Sequence, residues 1–289
     1  STSLTAVHRT VIACGCQRCR TSGADSARQP LSVSVCDPSR TVIVVPASNW
    51  NRHSISVVRW NWSNRSNNDN ERELMKVFAL KGFDQAPEVT EVDLPTPGAG
   101  EVRVRVRAAS LNGFDLSVAN SYLKGMMEHR FPVVLGKDFA GEVDAAGPDV
   151  QGYQVGDRVF GVVMKDTLGD GSFGEYVTVP VASGIAKLPD GIDFTEAAAL
   201  GLAGTAAVDA FDAANVTADQ TVLVVGATGG VGQQVLQLAV RAGATVIATA
   251  HSAEEIELVT KLGAAHTVDY RGDVVEQVHA LYPDGVDAV

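Results

Sequence analysis

The sequence predicts an α/β protein in which a compact β barrel or sandwich is followed by a parallel, doubly wound sheet. Two observations carry this prediction. Short segments with apolar residues at every second position, separated by Gly and Pro turns, extend from Met75 to about Asp193. After Asp193, apolar strands alternate with helical stretches through short loops, which is the pattern of a parallel sheet with helices on both faces.

The first 74 residues differ in composition from the rest of the chain. They hold nine Arg, no Lys and five acidic residues, a net charge of +4, whereas residues 75–289 carry −15. The first methionine is Met75, where the strand-like pattern begins. We expect residues 1–74 to be a disordered extension or a translated stretch outside the working protein. An organelle transit peptide is the alternative, because such peptides are also rich in Arg and Ser.

All four cysteines lie in this first segment. Cys14, Cys16 and Cys19 are spaced like part of a metal knuckle, with Cys36 further on, but no Cys or His follows at zinc-finger spacing. The body after Met75 contains no Cys, which fits a reducing cytoplasm.

No apolar run approaches the roughly 20 residues of a membrane span. A net charge of −11 argues against a nucleic-acid partner, so we expect a soluble cytoplasmic protein.

Strand patterns fill the first part of the body. In Glu101–Arg107, valine alternates with charged residues, which predicts a strand with one buried and one solvated face. Similar patterns predict strands at Lys76–Leu80, Gly141–Ala145, Arg158–Val163 and Phe173–Val179. Many short strands with turns between them predict a β domain over residues 75–193.

The second part of the body opens with a predicted helical stretch over Thr195–Ala214. Apolar strands follow at Thr221–Val225, Thr245–Ala250 and His266–Asp269, and a helix is predicted after each of them. The second of these helices spans Ala253–Leu262. This alternation predicts a doubly wound parallel sheet over residues 194–289.

A glycine-rich turn joins the first of these strands to its helix. Such a turn brings backbone N–H groups and a helix N-terminus against a pyrophosphate, and a side chain at Gly229 or Gly232 would block the approach. An ordinary turn with close helix packing is the alternative. The strand before the turn and the helix after it favour dinucleotide binding by Gly226, Ala227, Thr228, Gly229, Gly230, Val231 and Gly232.

The end of the second strand indicates which nicotinamide cofactor binds. NAD-binding proteins usually place an acidic residue there to hold the ribose 2′-hydroxyl, and a carboxylate would repel a 2′-phosphate. Here the strand ends in Thr249-Ala250-His251-Ser252, with no acid before Glu254. NADPH is therefore the predicted cofactor. The candidate phosphate partners are His251, Ser252, Tyr270 and Arg271. For His251, the alternative is a solvated loop residue.

Five motifs in the body occur in an order and spacing shared with one family. They are Ala108-Ala-Ser-Leu-Asn112-Gly-Phe-Asp115, Gly136-Lys137-Asp138-Phe-Ala-Gly141, Gly156-Asp157-Arg158-Val159, Gly174-Glu175-Tyr176 and Ala227-Thr-Gly-Gly-Val-Gly232. Together they resemble the zinc-independent medium-chain dehydrogenase/reductase superfamily, and within it the NADPH:quinone oxidoreductases of the zeta-crystallin kind. The resemblance implies a GroES-like β-barrel domain over 75–193 and a Rossmann NADPH-binding domain over 194–289.

The same resemblance implies zinc-independent chemistry. Zinc alcohol dehydrogenases of the superfamily carry a ligand Cys near the position of Asn112 and a His in a Gly-His-Glu box. This chain has Asn112 and Gly136-Lys137-Asp138 instead, and neither Asn nor Lys is a good zinc ligand. The implied reaction is hydride transfer from NADPH to a small molecule that accepts hydride readily, a quinone or an activated enone. Reduction of an enoyl thioester or alkenal is one alternative, and an NADPH-binding protein without turnover is another.

The resemblance also implies site residues. In similar reductases the Asn-x-x-Asp segment lines the nicotinamide and substrate cleft, which points to Asn112 and Asp115. The alternative role is a turn residue for Asn112 and a helix cap for Asp115. Tyr122, one residue out of step with the catalytic Tyr of related enoyl reductases, is a candidate carbonyl-polarising donor. Thr205 is a candidate nicotinamide contact, beside Ala206 at the position where the family has Thr.

Two further expectations concern the Rossmann domain. Glu255 stands where similar quinone reductases have a Lys near the 2′-phosphate. A complete domain has six strands in the order 3-2-1-4-5-6, whereas this chain would hold three strands and the first residues of a fourth in Gly285–Val289. We therefore expect a homodimer only of the complete protein. We also expect this chain to be poorly stable or inactive, because an incompletely paired strand leaves an open edge.

Overall fold

A computed structural model describes residues 73–289 and three short strands ahead of them, β1 (Arg9–Ile12), β2 (Ile43–Pro46) and β3 (Val57–Arg59). β1 pairs antiparallel with β2. The predictions for residues 1–74, including those for Cys14, Cys16, Cys19 and Cys36, otherwise fall outside the described residues. The chain divides into two compact units after Ala199.

Antiparallel strands dominate the first unit. They are β4 (Leu74–Leu80), β5 (Glu88–Asp93), β6 (Glu101–Ser110), β7 (Val133–Val134), β8 (Asp138–Ala146), β9 (Arg158–Val162), β10 (Tyr176–Pro180) and β11 (Ile185–Lys187), with helices α1 (Gly113–Ala119) and α2 (Phe194–Ala198). One sheet has the order β10-β6-β8-β9-β11, with β3 also paired to β6, and a second has the order β5-β4-β7. The predicted β domain is thus present.

The alternation in β6 has the predicted consequence. Its three valines are fully buried in the core. On the other face, Arg103 donates to the Asp144 carboxylate and Arg107 to the Glu142 carboxylate, both on neighbouring β8. Because the apolar face is buried and the charged face pairs across strands, a shift of register by one residue would disrupt both faces.

One predicted strand begins later than expected. The pattern predicted a strand from Phe173, but β10 begins at Tyr176, because the preceding residues bond to β4 instead. The Phe78 N–H donates to the Phe173 carbonyl (2.7 Å), and the Glu175 N–H donates to the Lys76 carbonyl (3.3 Å). The strands at β4, β8 and β9 are confirmed to within a few residues. β5, β7 and β11 were not predicted, because they are short or lack alternation.

The second unit is a parallel α/β sheet. Its elements are α3 (Leu202–Ala214), β12 (Thr221–Val224), α4 (Gly230–Ala242), β13 (Thr245–Thr249), α5 (Ala253–Lys261), β14 (His266–Val268) and α6 (Val274–Leu281). The sheet order is β12-β13-β14, and all pairs are parallel. On the opposite side of β12, Val222 forms a parallel bridge with Ala288. The predicted first residues of a fourth strand are therefore present.

The prediction of one helical stretch over Thr195–Ala214 is wrong, because the structure has two separate helices, α2 and α3. Asp193 caps the short α2 by accepting from the Glu196 N–H (2.8 Å), and α3 begins only after Gly201, whose ψ of −97° is not helical. α2 packs on β6 and β8 in the first unit, so the division between the units falls a few residues after the predicted boundary at 193/194. Among residues 73–289, no helix is long and apolar enough to span a bilayer.

Candidate functional site

The glycine-rich turn lies between β12 and α4, where the sequence predicted it. Gly226 has a φ of +70°, and the Gly229 N–H donates to the Gly226 carbonyl (2.9 Å), which closes the turn. A Cβ at Gly232 would lie 2.2 Å from the Gly226 carbonyl oxygen. The first turn of α4 therefore packs directly on the loop backbone, and only glycine at 232 permits this approach.

The start of α4 presents backbone groups rather than side chains. Its N-cap is Gly229, which has no side chain to cap the first-turn N–H groups. Ala227 and Thr228 are buried, and the Thr228 carbonyl accepts from Gln233 Nε2 (2.7 Å). The second strand holds the turn, because Thr249 Oγ1 accepts from the Gly226 N–H (2.9 Å). First-turn N–H groups and the helix dipole together suit a pyrophosphate.

The predicted phosphate partners come together at the carboxyl ends of β13 and β14. The His251 ring lies 5.8 Å from the Tyr270 ring, edge to face. His251 Nδ1 lies 3.1 Å from Asp269 Oδ2, and Arg271 Nη2 lies 3.6 Å from the same oxygen. Hydrogen bonding from the Arg271 N–H, with a further contribution from His251, holds the pKa of Asp269 below its usual value. This carboxylate is therefore ionised at neutral pH.

A second carboxylate, Glu255, lies in the same group. Its Oε2 accepts from the backbone N–H groups of His251 (2.7 Å) and Ser252 (3.3 Å), and its Oε1 accepts from the Tyr270 hydroxyl (3.4 Å). The Ser252 hydroxyl in turn caps α5 by accepting from the Glu255 N–H (3.2 Å). NADPH was predicted from the absence of an acid at the end of the second strand. Asp269 was not predicted, because it reaches His251 from the end of the third strand.

Thr205 lies in the first part of α3. Its hydroxyl donates to the Gly201 carbonyl four residues earlier (2.9 Å), a common local bond for threonine in a helix. The residue is exposed within its unit. Its contact with the nicotinamide stays a prediction.

A buried polar cluster surrounds Asn112 in the first unit. Asn112 is the N-cap of α1, and its Nδ2 donates to Asp138 Oδ2 (2.8 Å). The Ser110 hydroxyl donates to the same oxygen. Ser110 ends β6 and Asp138 begins β8, beyond the paired residues Ala108 and Ala140. Asp138 was not predicted as a site residue, although it stands in the Gly-Lys-Asp motif that signalled the family.

Asp115 is both a helix-capping residue and a buried titratable group. Its Oδ2 accepts from the Asn112 N–H (2.7 Å), and only 2% of the residue is exposed. Burial, helped by the negative charge of Asp138, raises the pKa of Asp115 to about 7, against the opposing hydrogen bonds from the Asn112 and Gly136 N–H groups. The helix-cap alternative is therefore observed, while its contact with substrate stays a prediction.

The residues at the positions of the zinc ligands do not offer suitable lone pairs. Lys137 Nζ donates to the Val163 carbonyl (3.0 Å) and lies 5.2 Å from the centre of the Phe114 ring. Burial lowers the pKa of Lys137, although the charge of Asp115 opposes that shift. Asn112 turns an amide N–H, not an oxygen, toward Asp138. In the part of the chain described, no group of three or more His, Cys, Asp or Glu could hold a metal ion.

Tyr122 lies in the turn after α1 and is 72% exposed. The structure of this unit does not bring its hydroxyl into the buried cluster around Asn112. Its role as a donor to a substrate carbonyl stays a prediction.

A surface cavity of about 820 Å³ in the first unit does not coincide with these residues. Lys165 lies in its lining and contacts the carboxylates of Glu101 (2.9 Å) and Asp170 (2.6 Å). Asn112, Asp115 and Asp138 are not among its lining residues. The Lys165 ammonium in this cavity is thus already paired with two carboxylates.

Two family models match the chain. The model described as the alcohol dehydrogenase GroES-like domain matches residues 98–190. The model described as zinc-binding dehydrogenase matches residues 230–289. The first match falls in the antiparallel unit. The second begins at Gly230, where α4 starts, and includes β13 and β14. Together the two matches confirm the predicted GroES-like and Rossmann architecture.

Curated relatives match between 64% and 74% of the chain. A mycocerosic acid synthase-like polyketide synthase of Mycolicibacterium smegmatis is 38% identical over 205 residues, which is 70% of this chain and 9% of that protein. A chloroplast envelope quinone oxidoreductase homolog of Arabidopsis thaliana is 36% identical over 190 residues, 64% of this chain and 56% of that protein. The human synaptic vesicle membrane protein VAT-1 homolog-like is 36% identical, with 74% and 50% covered. The chain thus spans about half the length of the latter two relatives.

Solved structures show the same likeness. An NAD-dependent alcohol dehydrogenase is 32% identical with a TM-score of 0.66, covering 72% of this chain and 68% of that one. The quinone oxidoreductase of Coxiella burnetii is 29% identical with a TM-score of 0.64, covering 71% and 66%. The mycobacterial Rv1454c, solved with NADPH, is 30% identical with a TM-score of 0.64, covering 73% and 65%.

Proposed function

The chain belongs to the medium-chain dehydrogenase/reductase family, and on that basis we propose that the protein is an NADPH-dependent oxidoreductase that reduces a quinone or an activated enone. Its similarity to solved quinone oxidoreductases supports the reaction class. A related structure that holds NADPH supports the cofactor.

The observation that carries the proposal is the turn between β12 and α4. At this point a strand, four glycines and a helix N-terminus without a side-chain cap meet, and a Cβ at Gly232 would overlap the Gly226 carbonyl. The residues present therefore fit a dinucleotide. The first-turn N–H groups of α4 would hold its pyrophosphate, and the group at His251, Tyr270 and Arg271 would meet the adenosine ribose.

NADPH, when bound, supplies the hydride. In the proposed mechanism the protein provides positioning and exclusion of water rather than covalent chemistry. Asn112 and Asp115 would line the nicotinamide and substrate site, with the Asn112 amide fixed by Asp138. The proton that completes the reduction comes from solvent.

The proposed reaction uses no metal ion. A zinc ion would need lone pairs from the side chains that replace the family's Cys and His, but Lys137 donates to a carbonyl and Asn112 donates to a carboxylate. Without a Lewis acid to polarise them, alcohols and simple aldehydes are poor substrates. A quinone or conjugated enone accepts hydride without that help.

Reduction of an enoyl thioester is the second candidate. The relative with 38% identity is a polyketide synthase, and the reduction of a conjugated thioester is chemically similar to that of an enone. It would use the same cofactor site and the same metal-free pocket.

An acceptor screen with the whole protein tests the proposal. NADPH oxidation is followed at 340 nm with a quinone, an alkenal and an enoyl thioester, before and after treatment with a chelator. We expect turnover with the quinone, insensitive to the chelator. Turnover with the thioester alone supports the second candidate. Tight NADPH binding without turnover on any acceptor indicates a non-catalytic binding protein, and loss of activity on chelation contradicts the metal-free mechanism.

We also propose that the whole protein acts on a small molecule in the cytoplasm, without a nucleic-acid or membrane partner, and that it forms a homodimer. Size-exclusion chromatography with light scattering tests the dimer, and fractionation of the source cells tests the compartment.

A further inference from the structure

Asp269 lies among the very groups expected to bind a 2′-phosphate. Its Oδ2 lies 3.1 Å from His251 Nδ1 and 3.6 Å from Arg271 Nη2, while its Oδ1 accepts from the Arg271 N–H (2.8 Å). About 26% of the His251 side chain and 62% of the Arg271 side chain are exposed. A ligand can therefore reach both groups, but the same carboxylate already engages them.

The charge balance of this cluster is unfavourable for a phosphate. Glu255 adds a second carboxylate, which accepts from the His251 N–H and the Tyr270 hydroxyl. A phosphate monoester carries close to two negative charges at neutral pH. It would compete with Asp269 for His251 and Arg271 and would be repelled by both carboxylates. A 2′-hydroxyl, by contrast, could donate a hydrogen bond to a carboxylate at this position.

This inference rests on the proposed function and refines its cofactor preference. We propose that Asp269 is a specificity-determining residue: its carboxylate contacts His251 Nδ1 and the Arg271 guanidinium, and this arrangement penalises a 2′-phosphate. The protein then prefers NADPH over NADH only weakly. The acid that NAD-binding proteins place after the second strand is supplied here from the end of the third strand. Because the cluster is partly exposed and screened by salt, its effect is moderate in size.

The variant Asp269→Asn tests this role. Asparagine keeps an oxygen that can accept the Arg271 N–H, so the loop geometry is retained while the charge is removed. Dissociation constants for NADPH and for NADH are measured separately, without an acceptor, by titration of nicotinamide fluorescence. We expect NADPH to bind about tenfold more tightly than to the wild type, and NADH to change less than about twofold.

Two further variants give the test its controls. Asp273→Asn removes an equal charge from an exposed residue that caps α6 through the Glu276 N–H (2.9 Å), and asparagine retains that cap. We expect neither dissociation constant to change. Arg271→Gln should weaken NADPH binding more than NADH binding. The gain in NADPH affinity of Asp269→Asn over the wild type should also decrease as the salt concentration is raised.

The outcomes separate this inference from the proposed function. Equal changes for both cofactors in Asp269→Asn, or the same gain in Asp273→Asn, would overturn the role of Asp269 while leaving the oxidoreductase proposal intact. If the wild type and all variants bind neither cofactor, both proposals fail. A gain confined to NADPH and to the Asp269 variant supports the inference.

Discussion

Replacing Asp115 by Asn should remove a pH-dependent cost of folding. Asp115 has a pKa of about 7 in the folded protein against 3.8 when unperturbed. Because the folded state binds the proton more tightly than the unfolded state, its contribution to stability is fully present below pH 3.8. That contribution is lost as pH rises through 7. Between pH 5 and pH 8 the wild type should lose about 2–3 kcal/mol from this group alone.

The Asn variant keeps the helix cap. Its side-chain oxygen can still accept from the Asn112 N–H, as Asp115 does at 2.7 Å, but it does not ionise. The unfolding free energy of Asp115→Asn minus that of the wild type should therefore increase by about 2–3 kcal/mol between pH 5 and pH 8. Urea denaturation followed by circular dichroism at several pH values measures this difference.

Two comparisons make the result specific. Asp190→Asn removes one carboxylate from an exposed position of the same unit and serves as the charge-matched control for Asp115→Asn. Asp138→Asn removes the charge that helps to raise the pKa of Asp115, so it should reduce the pH dependence without abolishing it. A constant difference between Asp115→Asn and the wild type from pH 5 to pH 8 would refute the reasoning, since Asp115 would then titrate near its ordinary value.

The remaining predictions concern the cofactor turn, the core and the exposed tyrosine. Gly232→Ala places a Cβ 2.2 Å from the Gly226 carbonyl oxygen, so the turn must shift, and fluorescence titration should show NADPH binding weakened by at least about tenfold; unchanged binding would show that the turn does not hold the pyrophosphate. Leu236→Ala removes a fully buried side chain from the core of the second unit and should lower the unfolding free energy by about 2–5 kcal/mol in urea. A loss below about 1 kcal/mol would indicate that this core is loosely packed. Tyr122→Phe should reduce kcat less than about threefold, because a hydroxyl in water stabilises a developing charge weakly; a loss of about a hundredfold with unchanged NADPH binding would identify Tyr122 as the donor.

Local sequence patterns were sufficient for most of the architecture. The alternating valines of β6 and the apolar strands before and after the glycine turn each depend on neighbours within a few residues. Side-chain periodicity and glycine stereochemistry therefore predicted them correctly. The same holds for the helix-cap role of Asp115, which the Asn-x-x-Asp spacing indicates as an alternative. The division between the units was placed a few residues early, because the packing of α2 on β6 and β8 leaves no local signal.

The chemistry of the two polar clusters was decided by the tertiary structure alone. Asp269 lies eighteen residues after His251, and Asp138 lies twenty-six after Asn112. Each pair meets only because neighbouring strands bring their ends together. The burial that raises the pKa of Asp115 likewise comes from packing, which a one-dimensional pattern does not encode. The sequence by itself determined where a dinucleotide is expected to bind, because a phosphate turn is built from adjacent residues. The folded chain determined which charges surround that site, because electrostatic interactions depend on distance in space and not along the chain.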